Sequence, residues 1–313
     1  MYGIFNIALD SDIPLPELSE VEMADIVITI QAGVDVNSIP EQPSWFHHWE
    51  TPEGAVSISC AKLSDSYLLR FPKLVDFVIS ISFDTVTYFP QVEIPAETIR
   101  HLLLDQVIPR ILGQRGQLIL HAAAVVMPEG HAIAFLGDSG KGKSTLASSF
   151  YHNGARLITD DCLLLEEIDG QVVVIPNYYG LRLFNDSVNA IFGEQPGNSP
   201  VAHYTTKKRL QLPQRIGADP EKGFRLTSIF LLTDAGENIE YDFVQINPIK
   251  GVEEIMTMIE QAFLLDITDK PLIAHQFKVM GRVVSSGINI YRLEFPRKHS
   301  MLPQVRSRIE DIL

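Results

Sequence analysis

The sequence predicts an α/β fold in two parts: a β-rich N-terminal lobe over residues 1–95 and a phosphate-loop catalytic domain over residues 96–313. Three observations predict it. Short β-like runs alternate with turn signals across the first 95 residues. Further on, an apolar strand at 131–136 runs straight into Gly137-Asp138-Ser139-Gly140-Lys141-Gly142-Lys143-Ser144, and the helix-forming stretch 144–151 follows. Finally, residues 154–161 read as a turn and a short apolar strand that ends on Asp160 and Asp161.

In chain order, the lobe's strands are expected at 2–9, 25–30, 55–63 and 74–83, punctuated by Pro14, Pro16, Pro40, Pro43 and Pro52. The lobe carries no obvious chemistry, which suits scaffolding or substrate selection. A helix begins near Pro95-Ala96-Glu97 and places Ile99, Leu102, Leu103, Val107 and Ile111 roughly on one face, with Pro109 kinking or interrupting it. A buried strand at 118–126 follows, Gly130 turns the chain, and the strand before the glycine loop comes next. Later strands are expected at 162–166, 172–175, 227–232 and 289–294, and helices at 186–192, 251–263 and 302–312. There is no internal repeat, low-complexity tract or long linker.

The loop satisfies G-x-x-x-x-G-K-[ST] in the strand-to-helix context that the pattern requires. Gly137, Gly140 and Gly142 let backbone N–H groups curve around phosphate oxygens, and the helix N-terminus adds partial positive charge. Asp138, Ser139, Lys141 and Thr145 complete the expected contact set. Lys143 is expected on the β- and γ-phosphates of ATP, with the Ser144 hydroxyl on a bridging Mg²⁺. Asp160 is assigned to Mg²⁺, directly or through water, and Asp161 to accepting the proton of an attacking hydroxyl; the reverse division is open, and so is a turn-capping role. His121 begins an alanine run one strand before the loop; it either assists on the acceptor side or is a core histidine. Of the basic run Lys207-Lys208-Arg209, Lys208 and Arg209 are expected either to close over the nucleotide or to be solvated.

The chain has 313 residues, 46% of them hydrophobic, enough for an extensive core. With 39 acidic against 25 basic side chains, the formal charge of −14 repels nucleic acid and anionic membranes. Apolar stretches fall short of the roughly 18–20 residues a bilayer span needs, and no leader pattern is present, so a soluble cytoplasmic protein is expected. Cys60 and Cys162 lie far apart with no Cys/His cluster, which predicts buried thiols rather than a disulfide or zinc site. His47-His48 lacks helical ligand spacing.

The series His121, Gly137–Ser144 and Leu157-Ile158-Thr159-Asp160-Asp161 resembles the catalytic domain of HPr kinase/phosphorylase, itself related to phosphoenolpyruvate carboxykinases. Two further stretches, Pro176-Asn177-Tyr178-Tyr179-Gly180-Leu181-Arg182-Leu183-Phe184 and Tyr291-Arg292-Leu293-Glu294-Phe295-Pro296-Arg297, look like the HPr-kinase-related proteins of lasso-peptide biosynthesis. The opening Gly3-Ile4-Phe5 and Ser11-Asp12-Ile13-Pro14-Leu15-Pro16 are similar too. The resemblance implies an HPr-kinase-like core, ATP and Mg²⁺, Asp161 as base, Asp160 on the metal side and His121 in the active site. It also implies a homo-oligomer and the C-terminal serine of a precursor peptide as acceptor, while Arg182 stands at about the place of a family arginine and either binds a phosphoryl oxygen or makes an ordinary salt bridge. HPr enzymes carry a glutamate-containing E-I-R-G-L-G-like signature where this chain reads Tyr178-Tyr179-Gly180-Leu181-Arg182-Leu183, which removes the warrant for reverse phosphorylase activity. Two other functions share the same loop: a kinase of free serine or another small molecule, and a nucleotide-dependent switch or ATPase. Against the last, the chain has neither a Leu-Ser-Gly-Gly-Gln nor an Asn-Lys-x-Asp motif.

Overall fold

A computed structural model describes residues 1–51, 54–91, 93–178, 180–193, 196–213, 223–234 and 243–313. Pro52, Tyr179 and residues 194–195 of the turn-rich stretch before Lys207 lie outside them. The protein is mixed α/β and forms two compact units, Met1–Arg115 with Leu264–Ile273, and Gly116–Phe263 with Ala274–Leu313.

The first unit is built on β1 (Tyr2–Ile4), β2 (Ile7–Ser11), β3 (Ser19–Glu20), β4 (Val27–Ala32), β5 (Trp45–Glu50), β6 (Val56–Lys62), β7 (Ser66–Phe71), β8 (Val75–Ser80) and β9 (Thr85–Pro90). They form one sheet in the order β3-β1-β2-β4-β9-β8-β7-β6-β5. The single strand expected at 2–9 is instead a hairpin. Phe5 and Asn6 both take left-handed φ, 50° and 62°, and two such residues in succession make a tight turn whose twist suits paired strands. Strand β7 was also not expected; Leu68 and Leu69, adjacent in sequence, are both fully buried, so it lacks polar alternation.

Helices α1 (Ala96–Leu102) and α2 (Ile108–Gln114) are joined by a π turn, Leu103–Val107. Pro109 sits in the first turn of α2, and the widened turn before it accommodates a ring that would otherwise meet the carbonyl four residues back. Residues 96–115 belong to the first unit, whereas the sequence divided the chain after residue 95. Arg100 pairs with Glu17 at 2.9 Å, Arg115 donates to the Phe83 carbonyl at 3.0 Å, and the Arg110 guanidinium lies 4.8 Å from the Trp49 ring.

The second unit contains β10 (Leu118–Val126), β11 (Ala132–Leu136), β12 (Arg156–Thr159), β13 (Cys162–Ile168), β14 (Gln171–Ile175), β18 (Phe224–Thr233), β19 (Gln245–Pro248) and β20 (Asn289–Glu294). Their order is β11-β10-β13-β14-β18-β20-β19, with β12 on β10, and β18 also pairs parallel with β11, so five of the strands close on themselves. A separate small sheet is ordered β15-β17-β16, from β15 (Leu181–Leu183), β16 (Asn198–Pro200) and β17 (Lys208–Leu210). Helix α3 (Lys143–His152) packs on β11: Phe150 stacks on Phe135 at 5.6 Å, and Phe230 of β18 completes the aromatic cluster. Helices α4 (Asn185–Phe192) and α7 (Leu302–Glu310) add to the same core.

Two expectations for this unit are corrected. The helix expected at 251–263 is α5 (Val252–Ile259), and the following residues run along β10 instead. There Phe263 N–H donates to the Ile119 carbonyl at 2.9 Å and His121 N–H to the Gln261 carbonyl at 2.7 Å, satisfying backbone groups on the edge of β10 away from β13. Helix α6 (Lys270–Ser285) was not anticipated; its buried positions 272, 276, 280 and 283 include a polar residue, Gln276, whose amide donates to the Gln117 carbonyl. Among the described residues, no helix is long and apolar enough to cross a membrane.

Candidate functional site

The glycine loop joins β11 to α3. Gly137 has φ 138°, and a Cβ there would lie 2.7 Å from the Leu232 carbonyl oxygen, so the strand can enter the loop only without a side chain. Gly140 and Gly142 have φ 85° and 88°, and Gly142 caps α3, leaving the first helical N–H groups facing the loop. This is the curvature that an oxyanion cradle requires.

The Lys143 ammonium donates to the Gly137 carbonyl at 2.6 Å and the Asp138 carbonyl at 3.1 Å. Burial pushes its pKa down to about 8; Asp161 and Asp160 act against that fall, and Lys207 adds to it. Lys141 pairs with Asp234, at the end of β18, and does not line the cavity. Thr145 Oγ is 3.3 Å from Ser187 Oγ, which in turn lies 3.1 Å from His299 Nε2. Asp138 is reached by the Gln261 amide at 3.5 Å.

The acidic pair lies in the turn between β12 and β13, beside β10. Asp160 is buried; its Oδ2 accepts the Arg182 backbone N–H at 2.7 Å. Burial raises its pKa, the Asp161 charge raises it further, and Arg182 and Ser144 oppose the rise. The Asp161 Oδ2 accepts from the Arg182 guanidinium, while Oδ1 is 3.8 Å from His121 Nε2. Arg182, on β15, also donates to the Tyr178 hydroxyl and lies over that ring. His121 is further set by the Phe263 ring, 6.1 Å away.

One cavity of about 80 Å³ gathers most of these groups. Ser139, Gly140, Gly142, Lys143, Ser144 and Thr145 form its loop side; His121, Asp161 and Arg182 face them. Gly137 and Asp138 are not on the cavity wall. Lys208 and Arg209 are not on the wall either: Lys208 pairs in register with Leu183 and Pro200, and the buried Arg209 guanidinium lies 5.8 Å from the Tyr178 ring. Lys207, Phe184 and Leu183 do line it. The basic run was visible in the sequence, but which member faces the cavity is set by the pairing of β15 with β17.

The residues fit a magnesium–triphosphate. Asp160 Oδ1 is buried and has no partner of hydrogen-bond geometry among the described residues, and Ser144 stands close enough to act on that carboxyl group. A hydroxyl and a carboxylate oxygen are the hard donors a magnesium ion takes while keeping several waters. No cluster of three or more His, Cys, Asp or Glu side chains capable of holding a metal occurs among the described residues.

No protein-family model and no curated protein matches the chain. Among solved structures, the Hpr(Ser) kinase/phosphatase from Coxiella burnetii is similar at 13% identity and a TM-score of 0.29, over 62% of this chain and 93% of that one.

Proposed function

We propose that the second unit is an ATP-dependent kinase that phosphorylates a serine hydroxyl. The observation that carries this reading is the single cavity in which Lys143 and Ser144 stand opposite Asp161, His121 and Arg182. A loop that only bound and released nucleotide would not need a carboxylate, an imidazole and a guanidinium on the far wall.

Bound with Mg²⁺, ATP supplies the terminal phosphoryl group. The loop N–H groups and Lys143 would hold the phosphates, and Ser144 and Asp160 would hold the metal. Asp161 Oδ1 and His121 Nε2 are separated so that a hydroxyl can approach both at hydrogen-bond range. Asp161 orients that hydroxyl and takes its proton as the new O–P bond forms and the bridging O–P bond breaks. Arg182 holds Asp161 through Oδ2, which fixes the carboxylate while Oδ1 faces the acceptor. Lys143 neutralises charge on the departing diphosphate.

The resemblance described above makes the C-terminal serine of a precursor peptide the first acceptor to test. The protein with MgATP is offered a serine-terminated peptide, the same peptide with an internal serine, and free serine, and each is followed by mass spectrometry. Phosphate on the serine-terminated peptide supports the peptide reading; phosphate on free serine alone replaces it with a small-molecule kinase. ATP hydrolysis with no acceptor ever gaining phosphate would mark a switch or ATPase and sink the kinase reading.

A further inference from the structure

We propose that Lys207 is the second cation on the transferred phosphoryl group, lining the same cavity as Lys143 and braced by the Phe184 ring. This rests on the kinase reading and adds a residue to it that neither the glycine loop nor the acidic pair supplies.

Lys207 lies just before β17, where its N–H donates to Thr205 Oγ1 at 3.2 Å, a local bond that fixes the backbone at the strand's entry. Its ammonium sits 5.4 Å from the centroid of the Phe184 ring, and both residues line the phosphate cavity. Phe184 is 46% exposed, unusual for a phenylalanine at the foot of a buried strand and helix; the ring's visible work is to carry the ammonium. Among the described residues no carboxylate is paired with Lys207; Asp161, which lines the same cavity, pairs with Arg182.

The charges on the wall give the same answer. Arg182 and Asp161 offset one another, which leaves Lys143 and Lys207 as the two lysines lining the cavity. Two ammonium groups so placed repel until an anion lies between them. A magnesium-bound triphosphate carries roughly two net negative charges, which this pair offsets. Lys143 approaches from the loop, where the β-phosphate is cradled. Lys207 comes instead from the entry to β17, the strand paired with that of Arg182, which holds Asp161, so its contact falls on the terminal phosphate. It therefore distinguishes a triphosphate from a diphosphate.

The test is calorimetric binding of Mg²⁺ with a non-hydrolysable ATP analogue and with ADP, to the wild-type protein and to Lys207→Ala, Lys207→Arg and Phe184→Leu. Lys207→Ala is expected to weaken the triphosphate analogue by about tenfold to a hundredfold, the scale of one charge-assisted contact, and to leave ADP within about twofold. Lys207→Arg restores most of the loss, and Phe184→Leu shows part of it. Equal weakening of both nucleotides would make Lys207 a structural residue, and no change in either would make it a solvated one; each overturns the assignment while the kinase reading stands. If the wild-type protein binds neither nucleotide, the phosphate-loop reading falls and takes this one with it. Should Lys207→Ala fail to fold, Lys207→Met keeps the stem packed on Phe184 and repeats the comparison.

Discussion

Raising the pH should weaken nucleotide binding through one lysine, and the size of the effect follows from its burial. In the resting loop the Lys143 pKa is pushed down to about 8 from an ordinary 10.5. Placing phosphate oxygens beside the ammonium favours its charged form, so binding restores the pKa toward the ordinary value. At about pH 9 the resting protein keeps only about a tenth of that proton while the complex keeps nearly all of it, so binding takes up about 0.9 proton. At about pH 7 both states are charged and uptake falls to about 0.1 proton. Affinity is therefore full below pH 8 and is lost as pH rises through 8, by about tenfold between pH 7 and pH 9, or about 1.4 kcal/mol. Titration calorimetry at about pH 9 in two buffers of different ionisation enthalpy measures the proton count directly, and triphosphates have finished titrating by then. In Lys143→Met the uptake should vanish and the pH dependence flatten. Uptake near zero in the wild-type protein, or undiminished uptake in Lys143→Met, would refute the reasoning.

Asp161→Asn keeps the shape of the acceptor wall and removes the proton acceptor, so phosphoryl transfer should fall by about a hundredfold or more with nucleotide affinity little changed; near-normal transfer would strip Asp161 of the base role. Asp160→Asn should act in opposite senses on two measurements. Burial raises the pKa of Asp160, so its charged form costs stability at neutral pH, and the amide should leave the melting temperature unchanged or higher while abolishing the tightening of ATP binding by Mg²⁺. Gly137→Ala forces a side chain into left-handed backbone against the Leu232 carbonyl and should destabilise the protein by about 1–3 kcal/mol in denaturant unfolding.

The loop and its flanking elements were legible because their signal is local: glycines at fixed offsets, an apolar run before them and a helix former after. Asp160 and Asp161 were legible for the same reason, since two carboxylates closing a short apolar strand are conspicuous. What failed depends on distant partners. Phe5 and Asn6 show no glycine to announce a turn, yet the pairing of β1 with β2 holds both in left-handed backbone. Residues 260–263 continue a helical pattern, but the unpaired edge of β10 claims their backbone. Gln276 interrupts the apolar stripe of α6 because it serves the Gln117 carbonyl. Within the basic run, the register Arg182↔Arg209 and Leu183↔Lys208 leaves Lys207 at the cavity, and nothing within three adjacent letters encodes that register.

Strand β10 holds more of the site than its one functional side chain suggests. Residues Leu118–His121 pair with β13 and Ala124–Val126 with β12, so the chain crosses from one partner to the other at the turn that holds both aspartates, where Ala122 N–H donates to the Asp161 carbonyl. On its other side, Ala122–Val126 carries β11, the strand that delivers the glycine loop. A single ruler thus spaces imidazole, acids and glycine loop, and a one-residue slip along it would displace all three together. Variation in acceptor choice is therefore confined to elements that do not share this ruler, such as the small sheet carrying Arg182 and the approach to Lys207. Laboratory evolution of a new acceptor should accumulate its changes there and leave residues 118–126 untouched.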